Sequence, residues 1–148
     1  MDIQLTSHFR LSEFTRSTTA TTRGIPNIPT IEAISNLQQL CLHVLEPLRA
    51  FAGCPIAITS GYRSSALNQA VGGSKTSQHM TGEAADIRIP DEQTGRRWFE
   101  WLRTNVPYHQ LIWEKDTPQS THHWIHIAYR QYGPNKMQVI DDLVKHPN

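Results

Sequence analysis

The chain has 148 residues, the size of one ordinary domain, with 14 basic and 13 acidic side chains and a formal charge of +1. At that size it can bury roughly two thirds of its unfolded surface, so it needs neither a metal nor a disulfide merely to fold. It has no basic cluster and no apolar run near the roughly 18 residues of a membrane span, which argues against nucleic-acid binding and against membrane insertion.

In chain order, Met1–Ser7 shows no charged segment followed by an apolar one, so no Sec signal is visible and the expected compartment on synthesis is the cytoplasm. Residues 1–29 read as a loop-rich arm. Within it, Phe9–Phe14 suggests a short helix capped by Ser12. The Thr/Ser run Thr15–Thr22 and the proline-spaced Gly24–Pro29 suggest extended chain, anchored by Phe9, Leu11, Phe14, Ile25 and Ile28. From Thr30, a good N-cap, the residues Ile31, Ile34, Leu37, Leu40 or Cys41, Val44, Leu45 and Leu48 recur at helical spacing. Pro47 should kink or end that helix near Glu46, because it has no N–H to donate. Cys41 and Cys54 read as two buried thiols, and their spacing makes no zinc motif.

Pro55–Gly61 alternates like a strand ending in a glycine turn, and Ser65–Ser77 reads as a short helix plus loop. Ala84–Ile89 is the next strand, with Ala84 and Asp86 on one face and Ala85, Ile87 and Ile89 on the other. Asp91 caps a helix whose apolar side is Trp98, Phe99, Trp101 and Leu102. His109–Glu114 and His123–Tyr129 read as strands close enough in sequence to pair as a hairpin. Residues 131–148 form a polar tail in which Met137–Ile140 fits an edge strand or a short helix. No repeat or second domain is visible, so the expectation is a single α+β domain over 1–148, a small antiparallel sheet flanked by helices.

The residues with metal chemistry are His79, Asp86 and His126. Two imidazoles and one carboxylate are a set that binds zinc and keeps a fourth position for water. Asp86 is on a strand, His79 is on the loop feeding it, and His126 is on a later strand with Trp124 and Ala128 on its face. Gly82 lets the loop turn back with φ above zero. Spacing alone leaves two other readings open: a satisfied strand histidine, and an Asp86 that is a structural salt-bridge partner.

The pattern Ser77-x-His79-x-x-Gly82-x-Ala84-x-Asp86, followed by Trp124-Ile125-His126, resembles peptidase family M15, the zinc D-alanyl-D-alanine carboxypeptidase-like family. Thr59-Ser60-Gly61-Tyr62-Arg63-Ser64 is similar to its Ser-Gly-Tyr-Arg-Ser turn, and Leu45-Glu46-Pro47-Leu48-Arg49 to its Leu-Glu-Pro-Leu-Arg helix end. The likeness runs from about Phe9 to Tyr129 and is to the short single-domain branch of phage, mobile-element and bacterial proteins. It implies a Hedgehog/DD-peptidase-like fold and zinc held by His79, Asp86 and His126. It also implies an Arg63 that polarises the scissile carbonyl, and a peptidoglycan stem peptide as substrate. The chain would be a monomer acting on the cell wall after release or lysis. Well-studied members carry Glu or Asp three residues before the last His; here that residue is His123. The general base is therefore either His123 or Glu114 at the end of the preceding strand. Ser77 and Trp124 are candidate substrate contacts. Two functions follow: a zinc peptidase using a metal-activated water, or a non-catalytic zinc-containing module that binds peptidoglycan or serves a phage structure. His122 is expected to be exposed, and His8, His43, His109 and His146 have no partner visible in the sequence.

Overall fold

The N-terminal arm is more regular than its composition suggests. In the computed structural model, which describes residues 2–145, Gln4–Thr6 (β1) and Phe9–Arg10 (β2) pair as an antiparallel hairpin. Helices Ser12–Thr15 (α1) and Thr18–Arg23 (α2) follow. Much of the segment expected to be extended is therefore α2. Ser17 accepts the Ala20 N–H at its start and Gly24 closes it with φ 64°. Caps at both ends outweigh the weak helix propensity of its threonines. Ser12 does not cap α1; Leu11 holds that position, and the Ser12 hydroxyl donates to Asp2 instead. Phe9, Leu11 and Phe14 anchor the arm in the core, whereas Ile28 is 79% exposed and anchors nothing.

Helix α3 (Ile31–Leu40) starts at Thr30, whose hydroxyl accepts the Ala33 N–H. It runs through a π turn, Cys41–Leu45, into α4 (Glu46–Ala52). Pro47 neither ends nor interrupts this rod. The Glu46 N–H reaches back five residues to the Cys41 carbonyl, and the widened turn absorbs the ladder defect that a proline introduces. Leu37, Leu40, Cys41, Val44, Leu45 and Leu48 are fully buried along it, while Ile31 is 83% exposed and falls off the apolar face. The same turn presents Glu46 to the N-terminal hairpin, where it accepts from the Thr6 hydroxyl at 2.6 Å and the His8 N–H at 2.7 Å. His8 thus has a partner, and so does His43, which stacks on Tyr129 at 5.0 Å. Both cysteines are free, with Cys41 buried and Cys54 only partly so.

The remaining elements are β3 (Ile58–Ser60), α5 (Ser65–Ala70), β4 (Ala84–Arg88), α6 (Glu92–Asn105), β5 (Gln110–Lys115), β6 (His123–Ala128) and β7 (Gln138–Val144). The five-stranded sheet has the order β3-β4-β6-β5-β7. All neighbours are antiparallel except β5 and β7, so the sheet is mixed and the fold is α+β. The polar tail is thus an edge strand; His146 and the other residues of 146–148 lie outside the described residues. One sheet face carries Ala85, Ile87, Leu111, Trp113, Ile125 and Ile127 into a core shared with α6 and the α3–α4 rod. The opposite face, with Asp86, Ile112, Glu114, Trp124 and His126, is left for a cleft.

A 3₁₀ turn, Gln78–Thr81, leads into β4 and ends at Gly82, whose φ is 77°. A Cβ there would collide with the backbone of Ala33 in α3, whereas Gly24 has an equally left-handed φ and open space around it. Gly24→Ala should therefore cost only the left-handed penalty of about 1–2 kcal/mol. Gly82→Ala should cost clearly more, because α3 and the turn must separate. Urea unfolding of the two variants checks the difference.

Candidate metal centre and cleft

His79 is set by its own turn and by a second one. The Ser77 hydroxyl accepts the His79 N–H at 3.2 Å, and the His79 carbonyl accepts the Arg63 N–H at 3.0 Å. The ring Nδ1 lies 2.7 Å from the Gly61 carbonyl. A carbonyl only accepts, so Nδ1 carries the proton and the Nε2 lone pair is left facing Asp86. The Gly61–Ser64 turn is braced in turn by the N-terminal arm. Tyr62 N–H donates to Phe14 at 2.7 Å, and Asn27 Nδ2 donates to the carbonyls of both Thr15 and Tyr62 at 3.0 Å. Asn27 Oδ1 also accepts the Ser64 N–H at 2.7 Å. A Cβ on Gly61 would come within 2.6 Å of the Phe14 backbone, so glycine is the residue this contact admits. Asn27 is a supporting residue that sequence reasoning missed; its only signal was an Asn set between two prolines in a polar arm.

Asp86 and His126 are directly opposite in the β4–β6 register. His126 Nδ1 is 2.9 Å from Asp86 Oδ1, and His79 Nε2 is 3.4 Å from the same oxygen. One donor atom from each residue falls within 4.8 Å of the others. Burial resists ionisation of Asp86, but the adjacent His79 and His126 outweigh it and hold the carboxyl well below the usual carboxylate range. Burial lowers the pKa of His79 against the pull of Asp86, which favours the neutral imidazole that binds metals. Two imidazole nitrogens and one carboxylate oxygen, converging from a turn and two strands, suit a divalent metal with an open position.

The donors sit in a cleft of about 810 Å³ that Arg63, Ser77, Glu114 and Trp124 also line. The Arg63 guanidinium donates to the Ser77 hydroxyl at 3.3 Å, and its buried Nε has no hydrogen-bond partner among the described residues. Burial lowers the Arg63 pKa, and the charges of Asp86 and Glu114 oppose that. Glu114 lies opposite Trp124 in the β5–β6 ladder. Burial, reinforced by the charge of Asp86, raises its pKa above the ordinary carboxylate value. His109, without a visible partner in the sequence, lines the same cleft and accepts the Lys136 N–H at 3.4 Å.

His123 is not brought to the cleft. It is three residues before His126 on a regular strand, and an odd offset puts a side chain on the opposite face. There it stacks on Trp113 at 4.7 Å, with Nδ1 against Glu92 and Nε2 at 2.7 Å from Asp142. Its neighbour His122 is exposed.

A family model described as Peptidase M15 matches residues 7–128. A comparison with curated proteins gave no match. The geometry predicts one divalent metal ion per chain, lost in His79→Ala, Asp86→Ala and His126→Ala and retained in His123→Ala. Asn27→Ala, which loosens the turn that orients His79, should weaken metal binding by about tenfold. Elemental analysis and metal titration check all five variants.

Proposed function

Because this chain belongs to peptidase family M15, we propose that it is a zinc metallopeptidase that cleaves peptidoglycan stem peptides, with residues 1–148 acting as one peptidase domain. The observation that carries the reading is Glu114: a half-buried carboxylate with a raised pKa, in the same cleft as the three donors and Arg63. It supplies the acid that position 123 lacks.

His79, Asp86 and His126 are the residues that would hold the zinc. Bound there, zinc supplies Lewis acidity toward a peptide carbonyl and makes water a nucleophile near neutral pH. Arg63 offers its guanidinium to the oxygen that gains negative charge as the carbonyl is attacked, or to a substrate carboxylate. Ser77 holds that guanidinium in place, so it acts on the substrate through Arg63. Glu114 takes the proton of the attacking water and returns it to the amine that departs as the C–N bond breaks. A carboxyl whose pKa burial raises above the ordinary carboxylate value suits both transfers. Trp124 walls the cleft beside Glu114.

Cleavage of purified muropeptides tests this reading. Glu114→Gln should retain the metal and lose about 10²–10⁴-fold in kcat. His123→Ala should leave kcat within about twofold, since a residue on the far face moves no proton. Full zinc occupancy in a wild-type protein that cleaves no muropeptide would overturn the proposal in favour of a non-catalytic peptidoglycan-binding or phage structural module.

A further inference from the structure

β7 follows the family-matched residues 7–128, and the cleft is incomplete without it. Ile140 pairs with Ile112 and Leu143 with Glu114. Between those pairs β5 has one residue, Trp113, whereas β7 has two, Asp141 and Asp142. The mismatch is a β-bulge, and Asp142 sits in it with φ 65°, a conformation that a residue with a side chain rarely adopts. On a regular strand Ile140 and Leu143, three residues apart, would face opposite ways. The extra residue corrects the parity, and both line the cleft.

The bulge is held by side chains from three other elements. Arg96 of α6 grips Asp141 with two hydrogen bonds, at 2.7 and 2.6 Å. Asp142 meets His123 of β6 at 2.7 Å and Lys115 of β5 at 3.3 Å. His123 is itself fixed by Glu92, through both its backbone N–H and its ring, and by stacking on Trp113, the residue facing the bulge. Asp86, His126, Ile112 and Ile140 form one continuous register row across β4, β6, β5 and β7. The apolar wall therefore starts beside the metal donors.

We infer that His123 is a positioning residue for substrate recognition: by holding the Asp142 bulge it fixes Ile140 and Leu143 as an apolar wall that receives an apolar side chain of the peptide next to the scissile bond. The inference rests on the peptidase reading for the identity of the ligand, and it assigns to position 123 a role in affinity in place of one in proton transfer.

The test compares wild type, His123→Ala, His123→Gln and Leu143→Ala, all zinc-loaded. The probes are N-acetyl-L-lysyl-D-alanyl-D-alanine and its D-serine counterpart. His123→Ala and Leu143→Ala should each raise KM for the alanine peptide by about tenfold and bring the alanine-to-serine preference toward one, with kcat and zinc content unchanged. His123→Gln, which keeps an amide donor for Asp142, should restore part of the preference. Amide hydrogen exchange over 138–144 should quicken in His123→Ala. A fall in kcat with KM unchanged, or exchange and preference both unchanged, would overturn the inference. Should wild type cleave muropeptides but neither tripeptide, the peptidase reading stands; should it cleave none of them, that reading fails on its own. Calorimetric binding of the alanine peptide then decides this inference, and equal affinity in wild type and His123→Ala overturns it.

Discussion

Two turns far apart in sequence hold each other, and the site depends on that contact. The His79 ring donates to Gly61 while the His79 carbonyl accepts from Arg63, two residues further along the same turn. One pair of hydrogen bonds thus fixes which ring nitrogen of His79 faces Asp86 and where the Arg63 backbone starts. Both bonds lie at the junction of the N-terminal arm, the 3₁₀ turn and the sheet, and the one to Gly61 is buried, where an unmade hydrogen bond is expensive. The arm supplies the support from behind through Phe14 and Asn27. The first 30 residues, polar and short on regular pattern, therefore act as a brace for the metal donors.

Much of the scaffold was legible because it obeys local rules. Thr30 and Asp91 cap the helices they were expected to cap, and β4, β5 and β6 follow a period of two with the expected faces. What escaped the sequence is non-local. The π turn that accommodates Pro47 shows no composition signature. Helix α2 forms from threonines because Ser17 and Gly24 close its ends. The polar tail is open in sequence between an edge strand and a short helix, and the free edge of β5 decides for the strand; Asp141 and Asp142 look like solvated charges until Arg96, Lys115 and His123 are seen around them. In the site, spacing alone leaves His79, Asp86 and His126 open to other readings; the resemblance to the family motifs implies their grouping and the place of Arg63, and the structure brings all four into one cleft. Asn27, Ile140 and Leu143 could not be read from motifs, since each acts through a contact spanning tens of residues.

The cleft also shows how surroundings assign different tasks to like groups. Asp86 and Glu114 are both largely withdrawn from water, which by itself would raise both pKa values. Asp86 has two imidazoles against its oxygen and is held ionised. Glu114 has the charge of Asp86 nearby, with weaker help from His126, and is pushed the other way. A carboxylate that stays charged suits a metal ligand, and one whose proton is held more tightly than an ordinary carboxylate's suits a proton carrier. The sign of the shift, rather than residue type, separates the two roles.

Strand parity then separates Glu114 from His123. A residue three before His126 on an unbroken strand faces away from the metal donors, so an acid placed at 123 would lie where His123 lies, behind Trp113. To reach the cleft from β6, a carboxylate would need an even offset; of the two nearest such positions, 124 is filled by the indole that walls the site and 128 by the fully buried Ala128. The neighbouring strand offers the other solution: Glu114 lies directly across from Trp124 and on the cleft face. Position 123 thus serves the opposite face, where its contact with Asp142 braces the bulge that turns β7 into part of the cleft.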